Sequence, residues 1–412
     1  MDHYVVLSRK YRPKDLSDLV GQDLLAKSLR SCLDTKRVPH AFLFYGIRGV
    51  GKTTTARILA KCLSCIGPDG STDITSSPCG ICRSCMAMTN DQHMDIMEFD
   101  AASRTGVDDI REIVDASQYM PVSGRYKIFI IDEVHMLSKS AFNALLKTLE
   151  EPPGHVKFIF ATTEVNKIPD TILSRCMKFQ LNPVSGETLS NYLISVAKKE
   201  KINLEEGAAD MISEESEGSV RDALSILEQA RMLIDEFQAV TQDIIIDMIG
   251  GVRSNDIEKL LKLILDAQTR DALNKSEALI KNGAIPFMVF KELQNAMYKV
   301  ITEKVERNSI AYPLSNLLYL WQILLKQTES MKDAFYPECV LNAAIIILSY
   351  TASFPDIDKL MLKETSSKNQ LVQKVGEILG EKPILETISK NENKLIDTVL
   401  KKFPGANLTE IE

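Results

Sequence analysis

The sequence predicts an α/β fold: a parallel sheet with helices on both faces, followed by an all-helical C-terminal half. Three observations predict it. Gly46-Ile47-Arg48-Gly49-Val50-Gly51-Lys52-Thr53 fits the spacing G-x-x-x-x-G-K-[ST], and it lies between an apolar run, Ala41–Tyr45, and a helical pattern, Thr53–Lys61. Short apolar runs then alternate with helical patterns as far as Leu181, the pattern of strands joined by crossover helices. After Pro183 the strand-like runs stop and only helical spacing remains.

In chain order, the basic and aromatic Ser8-Arg9-Lys10-Tyr11-Arg12-Pro13 reads as an extended arm. Leu24, Leu25, Leu29 and Leu33 have helical spacing over 23–36. Residues 62–90 are rich in Cys, Ser, Gly and Pro and read as an insertion. Met94–Phe99 reads as the second strand and Val107–Tyr119 as a helix. Lys127–Glu133 is the third strand, ending in two acids. Ser138 should cap a helix that runs to about Glu150, where Pro152-Pro153 stops it. Val156–Thr163 is the fourth strand and Met177–Leu181 the fifth. Four segments follow from these breaks: 1–182, the sheet with its insertion at 62–90; 183–250, short helices ending at Gly250-Gly251; 251–360, longer amphipathic helices; and 361–412, a polar linker with a small tail module.

A hydrophobic fraction of 45% and a charged fraction of 25% fit a globular chain. No signal-peptide pattern opens the sequence and no apolar run reaches membrane-span length, so a cytoplasmic location is expected, without a membrane partner. The net charge of −7 argues against a chain that coats nucleic acid over its whole surface. Residues 1–60 nevertheless carry eleven Lys and Arg against five Asp and Glu, which suits phosphates or a solvated face equally.

The chemistry concentrates in a few places. In the glycine-rich loop, Gly46, Arg48, Gly49, Val50 and Gly51 would present backbone N–H groups to an anion at a helix N-terminus. Lys52 would reach the β- and γ-phosphates, and the Thr53 hydroxyl, with Thr54 beside it, would hold Mg²⁺. Asp132 would share that Mg²⁺, and Glu133 would orient and help deprotonate an attacking water. Alone, two acids after an apolar strand are also a plain strand exit. Thr163 is either a hydroxyl facing the γ-phosphate or an ordinary β-branched strand residue. Cys65, Cys79, Cys82 and Cys85 offer four thiolates, as a closed structural Zn²⁺ site requires; Cys62 is the alternative to Cys65 but has helical spacing that would bury it. Cys32, Cys176 and Cys339 read as core thiols, and His135 as structural. Arg175 and Arg221 on residues alone read as partners of nearby acids.

Taken together, these motifs resemble the tau/gamma subunit family of bacterial DNA polymerase III. The matching residues are Ser8–Pro13, Val20-Gly21-Gln22, Gly46–Thr53, the four cysteines, Ala101–Thr105, Asp132–Leu137, Leu146–Pro153, Ser174-Arg175-Cys176 and Gly218–Asp222. The resemblance is dense over residues 8–235 and weaker beyond. It implies an AAA+ clamp-loader ATPase with a RecA-like sheet carrying a zinc module, a helical lid and a helical collar that oligomerises. It implies ATP, Mg²⁺ and Zn²⁺ as cofactors. As partners it implies other copies of the chain, the delta and delta-prime subunits, the β sliding clamp and primed DNA, in a nucleoid-associated complex. Tyr11, Arg12 and Val20 would border the adenine and Thr163 would be a sensor. Arg175 would serve the neighbouring subunit's ATP and Arg221 would be the lid arginine, which overturns the plain ion-pair reading of both. Family members usually carry a long Pro-rich linker; here the polar stretch 363–370 is short, so no helicase-binding module is expected. The module at 371–412 either docks on the collar or is completed by the polymerase catalytic subunit. Two rival readings are a branch-migration type AAA+ motor, which the cysteines and Ser-Arg-Cys oppose, and a non-hydrolysing structural subunit, which Lys52, Thr53, Asp132 and Glu133 oppose.

Overall fold

The computed structural model describes residues 4–235, 238–307, 312–332 and 334–353. The linker and tail module expected over 361–412 lie outside the described residues. The chain divides into two units after Ile249.

In the first unit the elements run α1 (Leu7–Lys10), α2 (Asp23–Asp34), β1 (Ala41–Tyr45), α3 (Lys52–Ser64), α4 (Arg83–Thr89), β2 (Ile96–Asp100), α5 (Val107–Ser117), β3 (Lys127–Asp132), α6 (Lys139–Glu150), β4 (Val156–Thr162), α7 (Asp170–Leu173) and β5 (Met177–Gln180). Four more helices complete it: α8 (Gly186–Glu200), α9 (Glu206–Glu215), α10 (Val220–Met232) and α11 (Gln242–Ile249). The second unit contains α12 (Ser254–Leu265), α13 (Thr269–Lys281), α14 (Pro286–Arg307), α15 (Leu314–Lys332) and α16 (Pro337–Ala352). Its core joins Leu260, Ile264, Phe290, Leu293, Leu320, Leu324 and Ile345, the apolar stripes of these helices.

The five strands form one sheet in the order β2-β3-β4-β1-β5, with every neighbouring pair parallel. Alternation along the strands supplies two cores. Phe42, Phe44, Ile128, Ile130 and Ile159 face one side and meet Leu29, Leu33, Ile58, Leu59 and Leu63 of α2 and α3. Leu43, Phe129, Ile131, Phe158 and Phe160 face the other and meet Ile110, Ile113, Phe142, Leu145 and Leu149 of α5 and α6. Phe158 stacks between Phe129 and Phe160, with ring centroids 5.5 and 5.9 Å away. Because all strands run the same way, the loops after β1, β3 and β4 emerge at one carboxyl edge, the usual place for a ligand in an open α/β sheet.

The expected alternation and helix caps are present, including Ser138, whose side chain accepts from Ala141 N. Three details differ. Residues 8–13 are not an extended arm: α1 occupies part of them. Leu7 is buried in the core of α8–α11, and its N–H donates to both Glu228 oxygens at 3.1 Å. Lys10, its side chain half exposed, pairs with Glu200 at 2.7 Å, so this basic charge is matched by an acid on α8. The expected insertion begins later than residue 62, because α3 continues to Ser64 with Cys62 in its buried face.

The third difference is at β2, which starts at Ile96, two residues later than expected, with Asp95 just before it holding another segment. Its fully buried carboxylate accepts N–H groups from Val122 (2.6 Å), Ser123 (2.7 Å) and Gly124 (2.6 Å), and the Ser123 hydroxyl at 3.0 Å. Burial pushes the Asp95 carboxyl up, but these donors outweigh it and hold it below the usual carboxylate range. Replacing Asp95 with Ala takes the charged acceptor from three part-buried N–H groups and is expected to cost about 2 kcal/mol at neutral pH. The native carboxyl is depressed relative to the unfolded chain, so its contribution is complete above roughly pH 4 and is lost as pH falls through the native value. Denaturant melts of both proteins should therefore show a stability gap that shrinks below roughly pH 4; a gap independent of pH would contradict the ionised carboxylate.

Candidate nucleotide site and cysteine cluster

The loop between β1 and α3 is held close on both sides. A Cβ at Gly46 would lie 2.3 Å from the Leu181 carbonyl oxygen, and one at Gly49 (φ +79°) would lie 1.9 Å from Ser219 Oγ, so both positions exclude a side chain. Gly51 (φ +106°) precedes α3 and faces open space, where a ligand can approach the backbone. Val50, Lys52 and Thr54 are buried, whereas Arg48 is exposed. The Lys52 ammonium donates to the Gly46 and Ile47 carbonyls at 3.1 and 2.9 Å, curled back into its own loop. Burial holds its pKa below the usual lysine value, with Glu133 and Asp132 opposing.

The acids meet this loop from β3. Thr53 Oγ1 donates to Asp132 Oδ2 at 2.6 Å, and Asp132 Oδ1 accepts Glu133 N at 3.0 Å. Glu133 itself sits in the left-handed region (φ 47°, ψ 44°), unusual for a residue with a long side chain and common at functional sites. One of its oxygens, Oε2, accepts both the N–H and the hydroxyl of Thr163 at 3.2 Å. Thr163 lies one residue past the end of β4, at Thr162, and not within the strand as expected. This partly satisfies the carboxylate that the sequence left without partners. His135, expected to be merely structural, approaches the same Oε2 at 3.4 Å through Nδ1. Its position two residues after Glu133 was the available signal, and only the turn Val134–Met136 brings the two together.

The other candidates divide. Arg221, in the first turn of α10, lies beside the loop: its N–H donates to the Gly49 carbonyl at 3.3 Å. Arg12 is exposed, with Arg57 and Arg221 as cationic neighbours. Tyr11 and Val20 are half-buried against the α8–α11 core. The Tyr11 hydroxyl donates to Glu200 at 2.6 Å, and burial together with that bond pushes its pKa up to about 12. Arg175 stands elsewhere. It precedes β5, and Met177 is paired with Phe42 near the start of β1, so it lies at the amino edge of the sheet, opposite its own glycine-rich loop. There it donates to Glu150 Oε1 and to the Thr171 carbonyl, each at 2.6 Å, the ion pair with a nearby acid that the residues alone suggest.

Cys65 follows α3 directly, Cys79 lies in the loop, Cys82 caps α4 and Cys85 lies in its first turn. Their Sγ atoms all lie within 4.8 Å of one another, with Cys65 and Cys79 3.7 Å apart. Four thiolates about 2.3 Å from a tetrahedral zinc stand about 3.8 Å from each other, so the set fits that ion. Backbone N–H groups of Cys79, Cys82 and Cys85 donate to the preceding sulfurs at 3.3 to 3.4 Å. Burial opposes ionisation of Cys82, but donors from Cys85 and Ile66 pull its thiol down to about 6, toward the form a metal takes. Cys62 is not in the cluster; its sulfur faces the Ser76 carbonyl at 3.8 Å.

Residues 21–185 match a family model described as DNA polymerase III, delta subunit, and residues 188–232 match one described as DNA polymerase III clamp loader subunit, ATPase lid domain. The chain is 37% identical over 382 residues to DNA polymerase III subunit tau of Bacillus subtilis, covering 87% of this chain and 67% of that protein. It is 45% identical to the tau subunit of Escherichia coli over 64% of this chain, but spans only 40% of that protein's length. It is 37% identical to the gamma subunit of Buchnera aphidicola from Acyrthosiphon pisum, over 81% of this chain and 95% of that protein. With its parallel sheet, glycine-rich loop and helical lid, the chain belongs to the tau/gamma family of DNA polymerase III clamp-loader subunits and has an AAA+ fold.

Proposed function

We propose that this protein is an ATP-hydrolysing motor subunit of the bacterial clamp loader, loading the β sliding clamp onto primed DNA during chromosome replication. The observation that supports it best is the convergence of Lys52, Thr53, Asp132, Glu133 and Thr163 at one edge of the sheet. In this reading Lys52 exchanges its two loop carbonyls for the phosphates, and the loop N–H groups after Gly49 cradle them. Mg²⁺ held by Thr53 and Asp132 would neutralise phosphate charge. Glu133 takes the proton of the attacking water. Arg221 senses nucleotide from the lid, and Tyr11, Arg12 and Val20 border the base. Residues 1–182 with a zinc module at 62–90 form the ATPase domain, 183–250 the lid and 251–360 the collar. The tail from 361 is a docking module for the collar or the polymerase catalytic subunit. Partners are further copies of the chain, delta, delta-prime, the clamp and primed DNA, in the cytoplasm at the nucleoid. No helix among the described residues is long and apolar enough to cross a membrane.

Arg175 lies on the edge opposite its own phosphate loop, which suits service to a neighbouring subunit. The test is ATP turnover and clamp loading with and without delta, delta-prime, clamp and primed DNA. Turnover should rise when all are present; turnover indifferent to them, with no clamp loaded, would contradict the motor reading. Arg175→Ala rings should bind ATP normally but hydrolyse it roughly 10³-fold more slowly, as for other arginines supplied in trans. In rings mixing Lys52→Ala and Arg175→Ala chains, hydrolysis that depends only on each subunit's own Arg175 would reject the neighbour role.

A further inference from the structure

His135 is almost fully enclosed, its side chain 7% exposed, and both ring nitrogens face groups at the carboxyl edge of the sheet. Nδ1 lies 3.0 Å from Thr162 Oγ1 and 3.4 Å from Glu133 Oε2, and Nε2 lies 3.4 Å from Glu164 Oε1. The two β4-side partners are themselves fixed. Thr162 is buried, and its oxygen accepts Glu164 N at 3.0 Å, while Glu164 also pairs with Lys167 at 2.9 Å. The imidazole therefore bridges the turn after β3 to the end of β4.

The consequence falls on one carboxylate. Thr163 N and Thr163 Oγ1 hydrogen-bond Glu133 Oε2, and His135 Nδ1, hydrogen-bonded to Thr162 Oγ1, stands 3.4 Å from the same oxygen. Among the described residues, none hydrogen-bonds Oε1. A carboxylate rotates readily about its last bond, because that torsion is broad. Three groups gathered on one oxygen restrict this rotation and leave the other oxygen to meet water. We propose that His135 is a positioning residue for ATP hydrolysis, orienting Glu133 through Nδ1 so that Oε1 faces the attacking water. This rests on the ATPase reading above. His135 does not touch substrate; it acts through Glu133, and its Nδ1 is the atom that matters, whereas Nε2 serves Glu164.

The side-chain amides of Asn and Gln separate the two nitrogens, because Asn places its amide nitrogen near the position of Nδ1 and Gln near that of Nε2. ATP affinity and single-turnover hydrolysis should be measured for the wild type, Glu133→Gln, and His135→Ala, →Asn and →Gln. His135→Ala should bind ATP with unchanged affinity, which also shows that it folds, and should hydrolyse it about tenfold or more slowly, as expected when a reacting group loses its orientation. His135→Asn should recover most of that loss, and His135→Gln should not. His135→Ala at the wild-type rate, or equal rates for all three variants, or rescue by Gln in place of Asn, overturns the proposal. The ATPase reading fails separately: a wild type without turnover, or a Glu133→Gln protein at full rate, removes both, while a Glu133-dependent wild type indifferent to His135 removes only this one.

Discussion

Glu133→Gln is expected to bind ATP as tightly as the wild type and to hydrolyse it 10²- to 10⁴-fold more slowly, the range a positioned general base contributes. The structure argues for this split. Glu133 makes no hydrogen bond to Lys52 or to the loop carbonyls that Lys52 holds and acts on Lys52 only through its charge, so the amide is expected to leave phosphate binding in place. A Gln side-chain oxygen can still accept from Thr163, which preserves the geometry while removing the proton acceptor. Lys52→Ala should behave in the opposite way. Its ammonium is buried in the loop and its pKa is depressed, so it is poised to exchange two carbonyls for a polyphosphate. Without it, binding itself should fail. Equilibrium binding and single-turnover hydrolysis distinguish the two variants. A Glu133→Gln chain that turns over at the wild-type rate, or a Lys52→Ala chain that binds normally, would remove these residues from the assignments given to them.

Legibility followed distance along the chain. The glycine-rich loop, the helix it opens and the strand before it are contiguous, so their strand–loop–helix arrangement was plain in the spacing, as was the Ser138 cap. Parallel strands buried on both faces also betray themselves, because Ala41–Tyr45 and Val156–Thr162 are apolar almost throughout. What the sequence hid depends on contacts between distant segments. Asp95 sits in an ordinary-looking strand pattern that in fact begins two residues later than Met94, and nothing local announces that its carboxylate holds the returning chain at 122–124. Residues 8–13 read as an extended arm because the acids that fix them and the preceding Leu7, Glu200 and Glu228, come roughly 190 to 220 residues later. Thr163 and His135 converge on Glu133 only because β4 lies beside β3 and a left-handed residue turns the chain between them. Arg175 carries the clearest case: its motif implies a role at phosphate, yet parallel pairing of β5 with β1 places it at the far edge.

Loss of metal should have the second large effect, and a local one. One four-thiolate site predicts about one zinc per chain, measured after purification under reducing conditions. Residues 65–89 contain few large apolar side chains, and their buried cluster is the cysteines with Ile66. A structural zinc contributes on the order of 10 kcal/mol of apparent binding free energy, much of it spent in ordering such a segment. Chelation, or Cys82→Ser, should therefore unfold this region while the sheet persists. The disturbance should reach the last turn of α3, because Arg125 donates to the Leu63 and Cys65 carbonyls at 3.4 and 2.8 Å and to Thr72 O, joining the module to that helix end. It should fade toward Lys52 and Thr53, about 20 Å away at the other end of the 13-residue helix, which is anchored in the core by Ile58 and Leu59. Amide hydrogen exchange should thus lose protection over 65–89 and at Leu63–Ser64, with β1, β3 and β4 unchanged and ATP affinity close to normal. Cys62→Ser should retain the metal, because its sulfur faces the Ser76 carbonyl and not the cluster. A reduced protein without zinc, or a Cys82→Ser chain whose 65–89 segment stays protected, would overturn the metal assignment, and metal loss in Cys62→Ser would overturn the choice of Cys65 as fourth ligand.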